Sequence, residues 1–108
     1  MKLTEKKCKP CEVGGPSLEA DVAKKMMKEI AGWNLATDSK QISREFVFKD
    51  FKEALAFINR VADVAESENH HPDIHNFWNK VRLDLSTHAV KGLSENDFIL
   101  AAKVNALK

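Results

Sequence analysis

The chain reads as an α+β domain: a single antiparallel β-sheet of about four strands with three helices packed on one face, in two layers. Three observations predict it. Apolar residues recur at helical spacing in three separate stretches. Short runs of alternating apolar and polar residues lie between those stretches. The resulting order is α-β-β-α-β-α, with a further short strand expected over 73–78, and strands this short need a helical layer to cover them.

The first helix is expected to open at Ser17 as N-cap, with Glu19 in the first turn, where the helix dipole favours an acid. Its apolar stripe is Leu18, Val22, Met26 and Ile30, and Gly32 suits the stop. Two β-like runs follow, over 33–37 and 42–49, joined by a turn at 38–41. In the second run Ile42, Phe46 and Phe48 share one face, while Ser43, Glu45 and Lys49 share the other. Asp50 and Glu53 have capping-box spacing and open the second helix. Its apolar face is read as Phe51, Leu55, Ile58, Ala62 and Ala65, and Pro72 requires the helix to end before His71. Val81, Leu83 and Leu85 alternate with Arg82 and Asp84 as a half-buried strand. Ser94 and Asp97 then cap a last helix that runs nearly to Lys108. That helix is apolar on more than one side, through Phe98, Ile99, Leu100, Ala102, Val104 and Leu107, and is expected to help form a contact with another subunit.

The 108 residues fit a single domain, placed at 16–108 behind a flexible tail at 1–15. Lysine and arginine total 17 against 16 acidic residues. Such a balance lacks the basic footprint of a nucleic-acid binder. No apolar run approaches the roughly 20 residues that span a bilayer. The lysine-rich start has no apolar segment after it and is not a secretory signal. A cytoplasmic location is the default expectation. Cys8 and Cys11 lie three apart in the tail, without the second pair a zinc site needs or the strand–helix setting of a redox motif. They are read as inert.

Three of the four histidines fall in Asn69-His70-His71-Pro72-Asp73-Ile74-His75, and the fourth is His88. Histidine is the side chain best suited to moving protons near neutral pH. His70 and His71 leave a helix ahead of a proline, where irregular backbone can aim both at one cleft. His88 follows a strand of the same sheet, so the three histidines can meet at one sheet edge. The rival chemistry for these residues is metal-dependent hydrolysis, with His70, His75, His88 and Asp73 as ligands. Their spacing matches no helical zinc motif, in which two histidines sit four apart.

Glu66, His70-His71-Pro72, Trp78, His88 and Asp97, at these spacings, resemble the signature of the pterin-4a-carbinolamine dehydratases. The flanking Asn79-Lys80-Val81, Leu85-Ser86-Thr87-His88 and Gly92-Leu93-Ser94-Glu95 resemble that family too. The resemblance implies dehydration of a 4a-hydroxytetrahydropterin to quinonoid dihydropterin and water, with no metal and no cofactor. It places His70, His71 and His88 as catalytic groups. Asn69, His70, His71, Ser86, Thr87, His88 and Ala89 would bind substrate, while Glu66, Trp78 and Asp97 support the site. It also implies a homo-oligomer, dimer or tetramer, and a functional link to an aromatic amino acid hydroxylase in tetrahydrobiopterin recycling. The rival reading is a non-enzymatic dimerisation cofactor for a transcription factor. His75 lies outside the signature and is read as a surface residue.

Overall fold

The structure, a computed structural model, describes residues 2–9 and 15–107. Its α-helices are α1 (Ala20–Met26), α2 (Phe51–Glu68) and α3 (Glu95–Asn105). The strands are β1 (Asn34–Leu35), β2 (Ile42–Val47), β3 (Asp73–Phe77) and β4 (Lys80–Leu85). They form one antiparallel sheet in the order β1-β2-β4-β3. The expected α+β architecture is therefore present.

Register follows from alternation. Ile42, Arg44 and Phe46 stand opposite Leu85, Leu83 and Val81. On this face Ile42, Phe46, Val81, Leu83 and Leu85 are all buried. Phe57 of α2 packs tilted against Phe46, with ring centroids 4.7 Å apart, and against Phe48 at 4.9 Å. The opposite face carries Ser43, Glu45, Arg82, Asp84 and His75 and is polar.

Three local expectations give way to tertiary structure. The first helix starts at Ala20 with Glu19 as its cap, not at Ser17. Leu18 N–H donates to Leu93 O at 2.8 Å, so this stretch is spent on the loop before α3. Gly92 permits that approach, because a Cβ there would lie 2.9 Å from Ser17 Cβ. In α2 the buried stripe is Ala54, Phe57, Val61, Ala65 and Glu68. Phe51 and Leu55, which were expected to face the core, are 46% and 40% exposed. Both stripes have helical spacing, and the one carrying Phe57 wins because it meets the aromatic residues of the sheet. Asp50 does cap α2, accepting from Glu53 N–H at 2.8 Å.

The third correction concerns the termini. Residues 2–9, expected as part of a flexible tail, pack on the domain through a short 3-10 turn at Leu3–Glu5, whose Leu3 is buried in the core. That turn lies against α3. With α2 and the sheet it buries Phe98, Ile99, Leu100, Ala101, Ala102 and Val104 inside one chain. The breadth of apolar surface on α3 therefore needs no second subunit to cover it. Large apolar side chains are exposed elsewhere, among them Val47, Phe77 and Trp78.

Candidate active site

The end of α2 is set by Asn69, which adopts left-handed geometry (φ 52°, ψ 40°). Asn69 N–H donates to Glu66 O and His70 N–H to Ala65 O. This is the Schellman pattern, in which a residue able to adopt positive φ closes the helix. His70 is thereby held at the end of α2 beside the start of α3.

There His70 Nε2 meets Asp97 Oδ1 at 2.6 Å. Asp97 is fully buried. Its other oxygen accepts from Thr87 Oγ1–H at 2.8 Å and from Ser94 N–H at 3.0 Å. Asp97 thus closes the capping box of α3 and orients His70 at once, so its structural and site roles coincide. A carboxylate only accepts, so the proton in the His70 bond sits on Nε2 and the proton in the Thr87 bond on Oγ1. Ser94 Oγ–H must then donate to Thr87 Oγ1, 2.7 Å away. Nδ1 is the ring nitrogen that Asp97 does not hold, the logic by which a buried carboxylate fixes an imidazole tautomer.

His70, Asn69, Thr87 and Ala89 line a cavity of about 330 Å³, together with Cys8, Lys9, Glu68 and Asn96. This lies within the usual size of small-molecule sites. A neighbouring depression of about 370 Å³ holds Ser86, His88 and the other side of Thr87. His88 is exposed at the start of a short 3-10 turn, His88–Val90. His70 and His88 therefore flank Thr87 rather than converging in one cleft. His71 turns outward instead, pairing through Nε2 with Glu66 Oε2; both side chains are more than half exposed. Trp78 sits in the turn that leaves β3 at the end opposite His70-His71-Pro72, 68% exposed and with φ 51°. Within this chain it does not border the cavity.

Among the described residues, no group of His, Cys, Asp or Glu is arranged to hold a metal. His75 is on the polar sheet face, with Nε2 3.0 Å from Asp84 Oδ2.

Sequence reasoning reads Cys8 as inert and passes over Glu68 and Asn96, whereas the structure brings all three to the cavity. Glu68 is buried, although it sits in the last helical turn where the dipole disfavours an acid. That unfavourable position was the available signal of a distant partner. The partners are Lys103 Nζ at 2.7 Å and Cys8 N–H at 2.8 Å. The Lys103 hydrogen bond, followed by the Cys8 N–H bond, holds the Glu68 carboxyl below its ordinary range. Burial, then the Glu68 charge, pushes the Cys8 thiol up to about 12. Cys11 lies outside the described residues.

A family model described as pterin 4 alpha carbinolamine dehydratase matches residues 16–107. The chain belongs to that family. A Halorhodospira halophila protein carrying the provisional name pterin-4-alpha-carbinolamine dehydratase is 47% identical over 107 residues, covering 99% of this chain and 98% of that protein. The Arabidopsis thaliana pterin-4-alpha-carbinolamine dehydratase 2, mitochondrial, is 46% identical over 110 residues, covering 98% of this chain and 59% of its own length. A Brucella melitensis transcriptional coactivator/pterin dehydratase has a solved structure similar to this one, with a TM-score of 0.80 and 34% identity. The match covers 84% of this dehydratase-family chain and 97% of that one. Among its described residues, no helix is long and apolar enough to cross a membrane.

Proposed function

We propose that this chain dehydrates 4a-hydroxytetrahydropterins by histidine acid–base catalysis. The observation that carries the reading is the relay Thr87–Asp97–His70 at the cavity wall, in a member of the dehydratase family. The reaction breaks the C4a–O bond and removes the N5 proton. The hydroxyl leaves as water once protonated, and the electron pair of the N5–H bond forms the C4a=N5 double bond of the quinonoid dihydropterin. One group must give a proton and one must take it, which is general acid–base chemistry.

His70, with its tautomer fixed by Asp97, is suited to one of these transfers through Nδ1. A pterin lying across the Thr87 rim between the two depressions also reaches His88, which is suited to the other. His71 serves in holding the pterin or passing a proton at the rim, with Glu66 orienting it. Asn69, Ser86, Thr87 and Ala89 contact the flat polar edge of the substrate. The hydroxylated pterin would come from an aromatic amino acid hydroxylase, and its dehydration would return the ring to tetrahydrobiopterin recycling. Self-association, if α3 is not its surface, falls to the exposed apolar residues Val47, Phe77 and Trp78. The rival reading, a dimerisation cofactor presenting α3, loses its motive because α3 is buried within the chain.

The test is steady-state dehydration of enzymatically generated 4a-hydroxytetrahydropterin by purified protein, with and without chelator. Turnover that survives chelation is the expected result. No acceleration over the spontaneous reaction, or a rate abolished by chelator, overturns the reading.

A further inference from the structure

The amino-terminal segment is built into the cavity that holds His70, and the geometry points to Cys8 as a residue that sets which pterins fit there. This inference rests on reading the cavity as the pterin site. The segment is clamped by two buried polar side chains that themselves line the cavity. Glu68 Oε1 accepts from Cys8 N–H at 2.8 Å. Asn96 exchanges two hydrogen bonds with Lys9, accepting from its N–H at 2.9 Å and donating to its carbonyl at 2.6 Å. Both residues are 8% exposed, and both side chains would lose partners inside the protein if the segment left. Unsatisfied buried polar groups are costly, so these contacts commit the segment to the domain. Leu3 in the core and the Lys6–Glu95 pair at 2.9 Å anchor it further.

Its one side chain of interest is the Cys8 thiol, half-buried and donating to Asn96 O at 3.6 Å. With its ionisation pushed far above neutral pH, it acts as a small soft apolar group rather than a nucleophile or a metal ligand. Cys8, Glu68 and Asn96 share the cavity with His70 and Thr87. The size of the side chain at position 8 therefore bounds the space left for a ring substituent beside the acid–base groups. Pockets of this kind discriminate about 10-fold or more per added methylene.

The experiment compares full-length wild type, Cys8→Leu and Cys8→Ala on 4a-hydroxytetrahydropterins bearing 6-methyl and 6-phenyl groups. Equilibrium binding of 7,8-dihydrobiopterin, read by titration calorimetry, runs in parallel. Cys8→Leu is expected to raise KM and the dihydrobiopterin Kd about tenfold, with the loss in KM rather than kcat. Cys8→Ala is expected to shift kcat/KM toward the 6-phenyl substrate by about the same factor. A folded Cys8→Leu protein with unchanged KM and Kd overturns the inference while leaving the dehydratase reading intact. If Cys8→Leu does not fold, an unchanged 6-phenyl to 6-methyl ratio in Cys8→Ala overturns it. If wild type binds dihydrobiopterin and Cys8→Leu weakens that binding, but wild type shows no turnover, the inference stands and the dehydratase reading falls. Wild type that neither turns over nor binds the pterin sinks both.

Discussion

Asp97 and Asp84 each hold a histidine and a hydroxyl, on opposite sides of the same sheet. Asp97 takes His70 Nε2 at 2.6 Å and Thr87 Oγ1 at 2.8 Å; Asp84 takes His75 Nε2 at 3.0 Å and Ser43 Oγ at 2.7 Å. Their surroundings differ. His70 is 13% exposed at a cavity wall, whereas His75 is 45% exposed on an open strand face. Asp84 also receives Arg82 Nε at 2.9 Å. Burial pushes the Asp84 carboxyl up, but its bonds from Ser43, Arg82 and His75 outweigh that and leave it below its ordinary value. Ser43 gives its hydroxyl proton to Asp84, so no histidine activates it as a nucleophile. The same inventory of groups makes a site where a cavity and a helix N-terminus focus it. On the sheet face, where an arginine neutralises it, it makes a surface network.

The largest difference should appear on deleting the imidazoles. His70→Ala is expected to lower turnover by about 10²–10⁴-fold, the usual scale of one acid–base group. His75→Ala should leave turnover at the wild-type rate. Equal rates in folded His70→Ala and wild type would break the contrast.

The carboxylates sharpen it. Asp97→Asn presents an amide donor where His70 needs an acceptor, which moves the imidazole proton to Nδ1. We expect kcat to fall on the order of 10²-fold through the wrong tautomer, and stability to fall by about 1 kcal/mol as the N-terminus of α3 loses its acid. Asp84→Asn should leave activity unchanged and cost about 1–2 kcal/mol, because Asp84 is 11% exposed but its charged partners His75 and Arg82 are about half exposed. Turnover and urea unfolding of the two variants decide whether burial is the distinguishing factor.

A smaller effect concerns the anchor of α2. The folded state lowers the Glu68 carboxyl below its unfolded value, so the stabilisation it contributes is fully present above the unfolded value and lost as pH falls through the folded one. Lys103→Met removes the hydrogen bond that contributes most to that lowering. It should cost about 2 kcal/mol near neutral pH and flatten the acid limb of a stability–pH profile. A variant whose profile parallels wild type would show that the pair does not hold the helix end.

Much of the fold was legible in local pattern. The alternation over 42–48 and 81–85 named the inner face of the sheet, because side chains alternate with period two whatever lies beyond. The capping sequences at Asp50 and Ser94 placed the starts of α2 and α3, since a cap acts within four residues. His70, Thr87 and Asp97 were named through motif spacing. On α2 the expected and the buried stripes share Ala65, and only the position of Phe46 and Phe48 selects the one carrying Phe57 over the one carrying Phe51 and Leu55. The Glu68–Lys103 and Cys8–Glu68 contacts join residues 35 and 60 apart, beyond any local signal.

The sequence by itself determined which residues can carry protons, which strands show an apolar face and where α2 and α3 begin, because these depend on side-chain chemistry and short-range periodicity. Only the tertiary structure decided that His70 and His88 flank Thr87, that α3 is covered within its own chain, and that Cys8 joins the cavity. Those outcomes depend on which surfaces meet when segments far apart in the chain bury their apolar area together.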